Sequence, residues 1–283
     1  MALCLNPETF GDLVDPFKGQ ADLRSKTIKV LHNLSFIEDP TRILRAVRFE
    51  TRFNFVMDKQ TESLALNSMA RMKDLSTHRI VEEMKRMFKD EKPPETIKRL
   101  FELHFWQQFG ADDDSREASF IHANQLDMLY ETHSQFRSNK ISWFDYFVIP
   151  FYHSGNTNLA RRFALTRHNI KFLQDISDLS QIDGWEQISA VGDFQRLLKD
   201  YTDDAILFFI ANKSFKNEDM IISYLEKRHD IPPLLTGEDL IDQGFKPGRH
   251  FKDILMALDV AILNEEIKTK ETALDWLHKH FDS

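Results

Sequence analysis

Residues 34–54 read LSFIEDPTRILRAVRFETRFN, and they commit the chain to one amphipathic helix with a charged outer face. Pro40 suits the first helical position, where its fixed φ helps and its missing N–H costs nothing. Asp39, just before it, can cap the helix by accepting a bond from a free backbone N–H. Behind them, Arg42, Arg45, Arg48 and Arg52 fall within an arc of about 120° at helical spacing. Ile43, Leu44 and Val47 take the other side, which is the side that packs. Four guanidiniums on one stripe repel one another unless anions lie opposite. A solvated charge stripe on a capped helix has the same pattern, so the residues alone leave both readings open.

Resemblance weighs toward the anion-binding face. Glu38-Asp39-Pro40-Thr41-Arg42, continuing through Arg45-Ala46-Val47-Arg48-Phe49, resembles the neck motif of class II tRNA nucleotidyltransferases and bacterial poly(A) polymerases. In that family an E-D-x-x-R motif holds the base of the incoming nucleotide, which maps the role onto Glu38, Asp39 and Arg42. Arg45 is expected to support them or to meet phosphate. The chemistry is sound without the family. A carboxylate only accepts hydrogen bonds and a guanidinium only donates them. Cytosine and adenine each offer an amine donor beside a ring-nitrogen acceptor, which Asp39 and Arg42 can match. Uracil and guanine reverse that order and would set like groups against like, which a polar pocket rejects strongly.

The fold class expected is mainly α: a multi-helix neck, body and tail with a small N-terminal β/α remnant of a nucleotidyltransferase head domain. Only 9 glycines and as many as 24 phenylalanines among 283 residues point to long helices with aromatic packing. Residues 1–33 are the mixed part. Met1 to Leu5 begins as though inside a strand, Asn6 to Gly11 reads as a turn, Leu13-Val14 as a short strand, Ala21 to Lys26 as a helical turn and Thr27 to Leu31 as a strand. Two strands and a turn cannot bury a sheet face alone. Leu13 to Leu23 resembles the stretch after the family's catalytic aspartates, so the chain is expected to lack those aspartates and to be truncated. No catalytic residue is assigned here. Mg²⁺ is expected in the intact enzyme, and this chain is expected to bind no cofactor by itself.

Residues 34–106 are read as the neck. Thr61–Met69, Thr77–Lys89 and Glu95–Trp106 carry helical apolar spacing, with Ser76 or Thr77 as a cap. Arg79 and Glu83, at i and i+4, match the family's next motif and are assigned to bracing the base-reading helix. Residues 107–228 are read as a helical body, with helices near 119–133, 143–152, 157–164, 168–177, 191–198, 203–213 and 217–228. Asp112-Asp113-Asp114 reads as a solvated acidic turn. Arg161, Arg162, Arg167, His168 and Lys171 form a second basic cluster. Residues 229–283 are read as the tail, with helices over 251–264 and 269–281. There Thr236-Gly237-Glu238-Asp239-Leu240 and Gly244-Phe245-Lys246-Pro247-Gly248-Arg249 are similar to the C-terminal region of the same family. Lys246 and Arg249, entering a helix start, are assigned to RNA phosphate along with Arg48 and Arg52.

Charge and cysteine set the remaining bounds. A net charge of −8 argues against wholesale nucleic-acid affinity and leaves local stripes to do the work. One cysteine, Cys4, forbids an internal disulfide and favours a reducing compartment. The apolar run Trp143–Tyr152 is short and holds Asp145 and Pro150, so no membrane span is expected. No basic-then-apolar leader opens the chain, and a cytoplasmic location is expected. His278 and His280 do not share a helix face, and His229-Asp230 lacks companions, so no metal site is assigned. The partners implied are a tRNA or other RNA 3′ end, ATP or CTP, and a head domain in cis or as a separate chain. A non-catalytic helical RNA-binding module, or a split-enzyme subunit, is the alternative.

Overall fold

The computed structural model describes residues 1–89, 92–133, 136, 143–213 and 215–281. They are largely helical and divide into two compact units, Met1–Leu173 and Gln174–Ser283. That boundary falls inside the stretch read as the body.

The first unit opens with β1 (Ala2–Leu3) paired antiparallel to β2 (Leu13–Val14), then α1 (Gly19–Arg24) and β3 (Thr27–Ile28). A short α2 (Ser35–Glu38) and the long α3 (Thr41–Phe53) follow, and β4 (Val56–Met57) returns parallel to β3. The 34–54 stretch is therefore a crossover clasped at both ends by one small ladder. Thr27–Leu31, read as a strand, is ordered as one only over two residues. Beyond them the Val30 N–H turns to the Thr61 hydroxyl, 3.1 Å away, instead of a strand neighbour.

Four helices build the core beneath α3: α4 (Lys59–Ser68), α5 (Thr77–Phe88), α6 (Pro93–Glu102) and α7 (Arg116–Thr132). Asp58 and Ser76 cap α4 and α5. The helix expected over 95–106 begins earlier, with Pro93 and Pro94 in its first turn where prolines fit. It ends earlier too, at Glu102. His104 then adopts φ 59°, and the turn it makes drives Phe105 and Trp106 into the interior. Trp106 donates Nε1–H to the Ile97 carbonyl and meets Phe105 and Phe147 at ring distances of 5.1 and 5.5 Å. α8 (Trp143–His153) is largely apolar all round, and Phe144 through Phe151 are buried, with the one carboxylate among them, Asp145, accepting from the Tyr130 hydroxyl at 2.9 Å. α9 (Arg167–Leu179) spans the unit boundary.

The second unit holds α10 (Asp193–Leu198), α11 (Asp203–Asn212), α12 (Glu218–Lys227), α13 (Gly237–Asp242), α14 (His250–Leu263) and α15 (Lys270–His280). Gly192 lies so close to α14 that a Cβ there would sit 2.2 Å from the Val260 carbonyl oxygen. The tail has its own core of Leu240, Phe245, Leu258, Ile267 and Leu277. Thr236 and Asp239 bond each other's backbone N–H as a reciprocal cap on α13, and Lys270 at the start of α15 ties down Asp239.

Candidate nucleic-acid interface

Asp39 is held in one pose by three donors. Its backbone is extended (φ −145°), whereas Pro40 already has helical angles, so Asp39 is the capping residue in conformation. One oxygen, Oδ1, accepts from the Thr41 N–H at 3.1 Å, the Thr41 hydroxyl at 2.7 Å and Arg79 Nη2 at 2.8 Å. The second oxygen, Oδ2, has no hydrogen bond among the described residues. Partial burial pushes this carboxyl's pKa up, but the Thr41 hydroxyl and N–H and the Arg79 charge outweigh it and hold it below the usual carboxylate range. Asp39 thus stays an acceptor, with one oxygen fully used and the other presented.

Arg42 is fixed in a similar way. Its Nη1 donates to the Ser35 carbonyl at 3.1 Å and to Glu38 Oε2 at 3.4 Å, which leaves Nε and Nη2 unengaged among the described residues. Arg42 and Arg45 line a cavity of about 540 Å³ together with Lys29, His32, Phe36 and Phe49. That is ordinary room for a nucleotide-sized ligand. Neither Glu38 nor Asp39 lines it. Glu38 orients Arg42 and also lies 3.6 Å from His32 Nε2. Ser35, Thr41, Lys29 and His32 were not singled out from sequence. The cue available was the β3 end, whose residues 29–32 must lie beside α3 if the strand pairs across it.

The other assigned residues separate into groups. Arg52 is exposed and lies over the Phe53 ring at 5.3 Å, and Arg48 is half-buried one turn earlier. Arg79 and Glu83 share α5 but do not bond each other. Arg79 crosses to Asp39, while Glu83, 8% exposed, accepts from Arg86 at 2.6 Å. Arg79 reaches Asp39 rather than its i+4 neighbour because Asp39 offers it a carboxylate that Thr41 has already oriented. Lys246 and Arg249 are exposed in the turn before α14, without an ion pair among the described residues. They belong to the other unit. In the second basic cluster, Arg162 stacks on Phe109 and Phe163 at 4.7 and 4.6 Å.

A structural hub behind α3 was also missed. Arg99 Nε donates to Glu50 Oε2 at 2.7 Å, and its Nη groups reach Glu62 at 2.7 Å and Glu102 at 2.9 Å. Glu50 in turn accepts the Met57 N–H at 2.7 Å. Burial pulls the Arg99 pKa down, but the three carboxylates outweigh it and leave it above its ordinary value. Among the described residues no three His, Cys, Asp or Glu side chains converge as a metal ion would require.

The chain resembles known proteins over nearly all of its length. Residues 54–110 match a family described as "Probable RNA and SrmB- binding site of polymerase A". The chain is 31% identical to an A-adding tRNA nucleotidyltransferase of Halalkalibacterium halodurans, covering 100% of this chain and 66% of that protein. It is 28% identical to an A-adding tRNA nucleotidyltransferase of Geobacter sulfurreducens, over 96% of this chain and 33% of that one. It therefore spans at most about two thirds of these relatives. Among solved structures, the Thermotoga maritima CCA-adding enzyme complexed with tRNA superposes with a TM-score of 0.82 at 23% identity, covering 99% of this chain and 70% of that one. A CCA-adding enzyme with ATP gives 0.76 at the same identity and the same coverage of both chains. At such identities the likeness speaks for the mainly α fold.

Proposed function

The chain belongs to the tRNA nucleotidyltransferase family, and from that premise we propose that it supplies base selection and RNA binding to an enzyme adding CMP or AMP to tRNA 3′ ends. The observation that carries this reading is the division of labour at Asp39. Three donors saturate Oδ1 and leave Oδ2 as a fixed acceptor, close in sequence to an Arg42 fixed through one nitrogen only. A fixed acceptor and a fixed donor match the amine and ring nitrogen of cytosine or adenine. Arg45 and the exposed Arg52 offer charge to phosphate, Arg48 extends the same stripe, and Lys246 and Arg249 do the same in the tail.

The catalytic carboxylates belong outside these residues. Mg²⁺ is the metal expected of the intact enzyme, and among the described residues no group of carboxylates is placed to hold it, since Glu50, Glu62 and Glu102, which do converge, are taken up by Arg99. A head domain, in cis or as a separate chain, is the partner proposed to hold it. Leu3, Leu5, Phe10, Leu13, Val14 and Phe17 are all exposed on the small N-terminal ladder and its turns, which supports cover by further protein. No helix among the described residues is long and apolar enough to cross a membrane, and the cytoplasm, where tRNA matures, is the compartment proposed.

Titration of tRNA binding against salt tests the RNA role. Each neutralised phosphate contributes about 0.7–0.9 to the slope of log K against log salt. Arg249→Ala and Arg48→Ala should each flatten that slope by about one contact without changing sequence preference. Absence of binding at low salt, or affinity indifferent to salt, contradicts the role.

A further inference from the structure

The outer face of α3 carries rings as well as charges. Phe49 is 39% exposed and Phe53 49% exposed, although the inner face of the same helix buries Ile43, Leu44 and Val47 completely. The two rings are one turn apart, with centroids 5.9 Å from each other, and Phe55 continues the row 6.0 Å beyond Phe53. Arg45 precedes Phe49 by one turn, is exposed, and has no hydrogen bond or ion pair among the described residues. Phe49 also lines the cavity that holds Arg42 and Arg45, whereas Phe53 lies beyond it. At 1.5 Å per residue, the rings sit about 10 and 16 Å along the helix axis from Arg42.

Cations and exposed aromatic rings interleaved on one face have a specific chemistry. Phosphates meet the guanidiniums, and unpaired bases lay their π-faces on the rings. A purely electrostatic contact would not need phenylalanine, and a core contact would not leave it half exposed. We propose that Phe49 and Phe53 form a stacking platform for the unpaired 3′-terminal nucleotides of the RNA, leading them toward the base-reading pair. This rests on the RNA 3′-end reading above. Arg45 and Arg52 flank the platform and meet the phosphates of the same strand, and Arg52 over Phe53 extends the stacking surface.

The test uses the 283-residue chain and an RNA hairpin with a short single-stranded 3′ end carrying 2-aminopurine. Binding should quench the 2-aminopurine. Phe49→Leu and Phe53→Leu keep apolar bulk and lose the π-face; each should relieve quenching and weaken binding by about fivefold to a hundredfold. Neither should alter the salt slope, because neither removes a charge. Phe49→Tyr should retain wild-type quenching. A blunt hairpin without the single-stranded end should bind the wild-type chain more weakly by a comparable factor, a comparison independent of any variant's folding. Salt-dependent binding with unchanged quenching in the leucine variants, or equal affinity for blunt and overhanging hairpins, overturns the platform and leaves the RNA reading standing. No RNA binding by the wild-type chain overturns both.

Discussion

Arg99→Met should cost the first unit more stability than any single change at the exposed arginines of α3. The Arg99 side chain is only 18% exposed and Glu50 8% exposed, and two hydrogen bonds join them, from Nε at 2.7 Å and from Nη2 at 3.2 Å. Methionine fills much of the same volume but strands the Glu50 charge in the interior. Breaking a buried pair from one side costs about 3–5 kcal/mol. Glu50 keeps the Met57 N–H, and Arg99 has some contact with water, so a loss of about 2–4 kcal/mol is expected. For a unit of this size that lowers Tm by roughly 5–15 °C. Thermal melts followed by circular dichroism at pH 7 measure it. The double variant Glu50→Gln/Arg99→Met should recover at least half of the loss, since the amide carries no charge and still accepts from Met57. A single variant within about 1 kcal/mol of wild type, or a double variant no better than the single, refutes the claim that a stranded charge is the cause.

Two further perturbations probe packing and charge elsewhere. Gly192→Ala should destabilise the second unit by more than the usual surface change of about 0.5 kcal/mol, because the new Cβ meets the backbone at Val260; an unchanged Tm contradicts the close approach. Burial lowers the His153 pKa from 6.5 to about 4, with its Nε2 3.1 Å from His122 Nδ1. The unfolded chain therefore binds a proton that the folded chain refuses between those values, so this stability is complete above pH 6.5 and is lost as pH falls toward 4. Stability measured across that window should fall less in His153→Gln than in wild type, and identical profiles contradict the assignment.

The helices were legible wherever punctuation was strong. Glycine and proline breaks, and caps such as Ser76, mark the α5, α8, α11, α12, α14 and α15 boundaries to within a residue or two, whereas the short α13 was not read as a helix. Strand lengths were not legible, because alternation at 27–31 states a preference and only a pairing partner can satisfy it. The α3 packing face was readable with one exception. Glu50 falls among the inward positions with Val47 and Ile43, and a carboxylate there announces a buried cation. Which cation, 49 residues away on α6, is settled by tertiary packing and not by local pattern. The same limit applies to Arg79. Its i+4 neighbour Glu83 is visible in the sequence, whereas its actual partner Asp39 lies 40 residues earlier. Sequence chemistry named Asp39 and Arg42 as complementary to a base edge. It could not say that Thr41 and Arg79 use up one oxygen and leave the other, since that follows from the turn's geometry.

Asp39→Asn tests at a single atom the proposed reading of a base edge by Asp39. All three groups around Oδ1 donate, so asparagine must place its carbonyl oxygen there and its amide nitrogen at the former Oδ2. Capping survives, and the group facing the base changes from acceptor to donor. With a nucleotidyltransferase head domain supplied in cis, kcat/KM is measured for CTP, ATP, UTP and GTP beside the melting temperature. Melting should change only modestly, while preference for CTP and ATP should fall by about ten- to a hundredfold, from about 1–3 kcal/mol per mismatched group. Unchanged nucleotide preference in a folded, active Asp39→Asn protein would contradict base reading and leave Asp39 a helix cap alone.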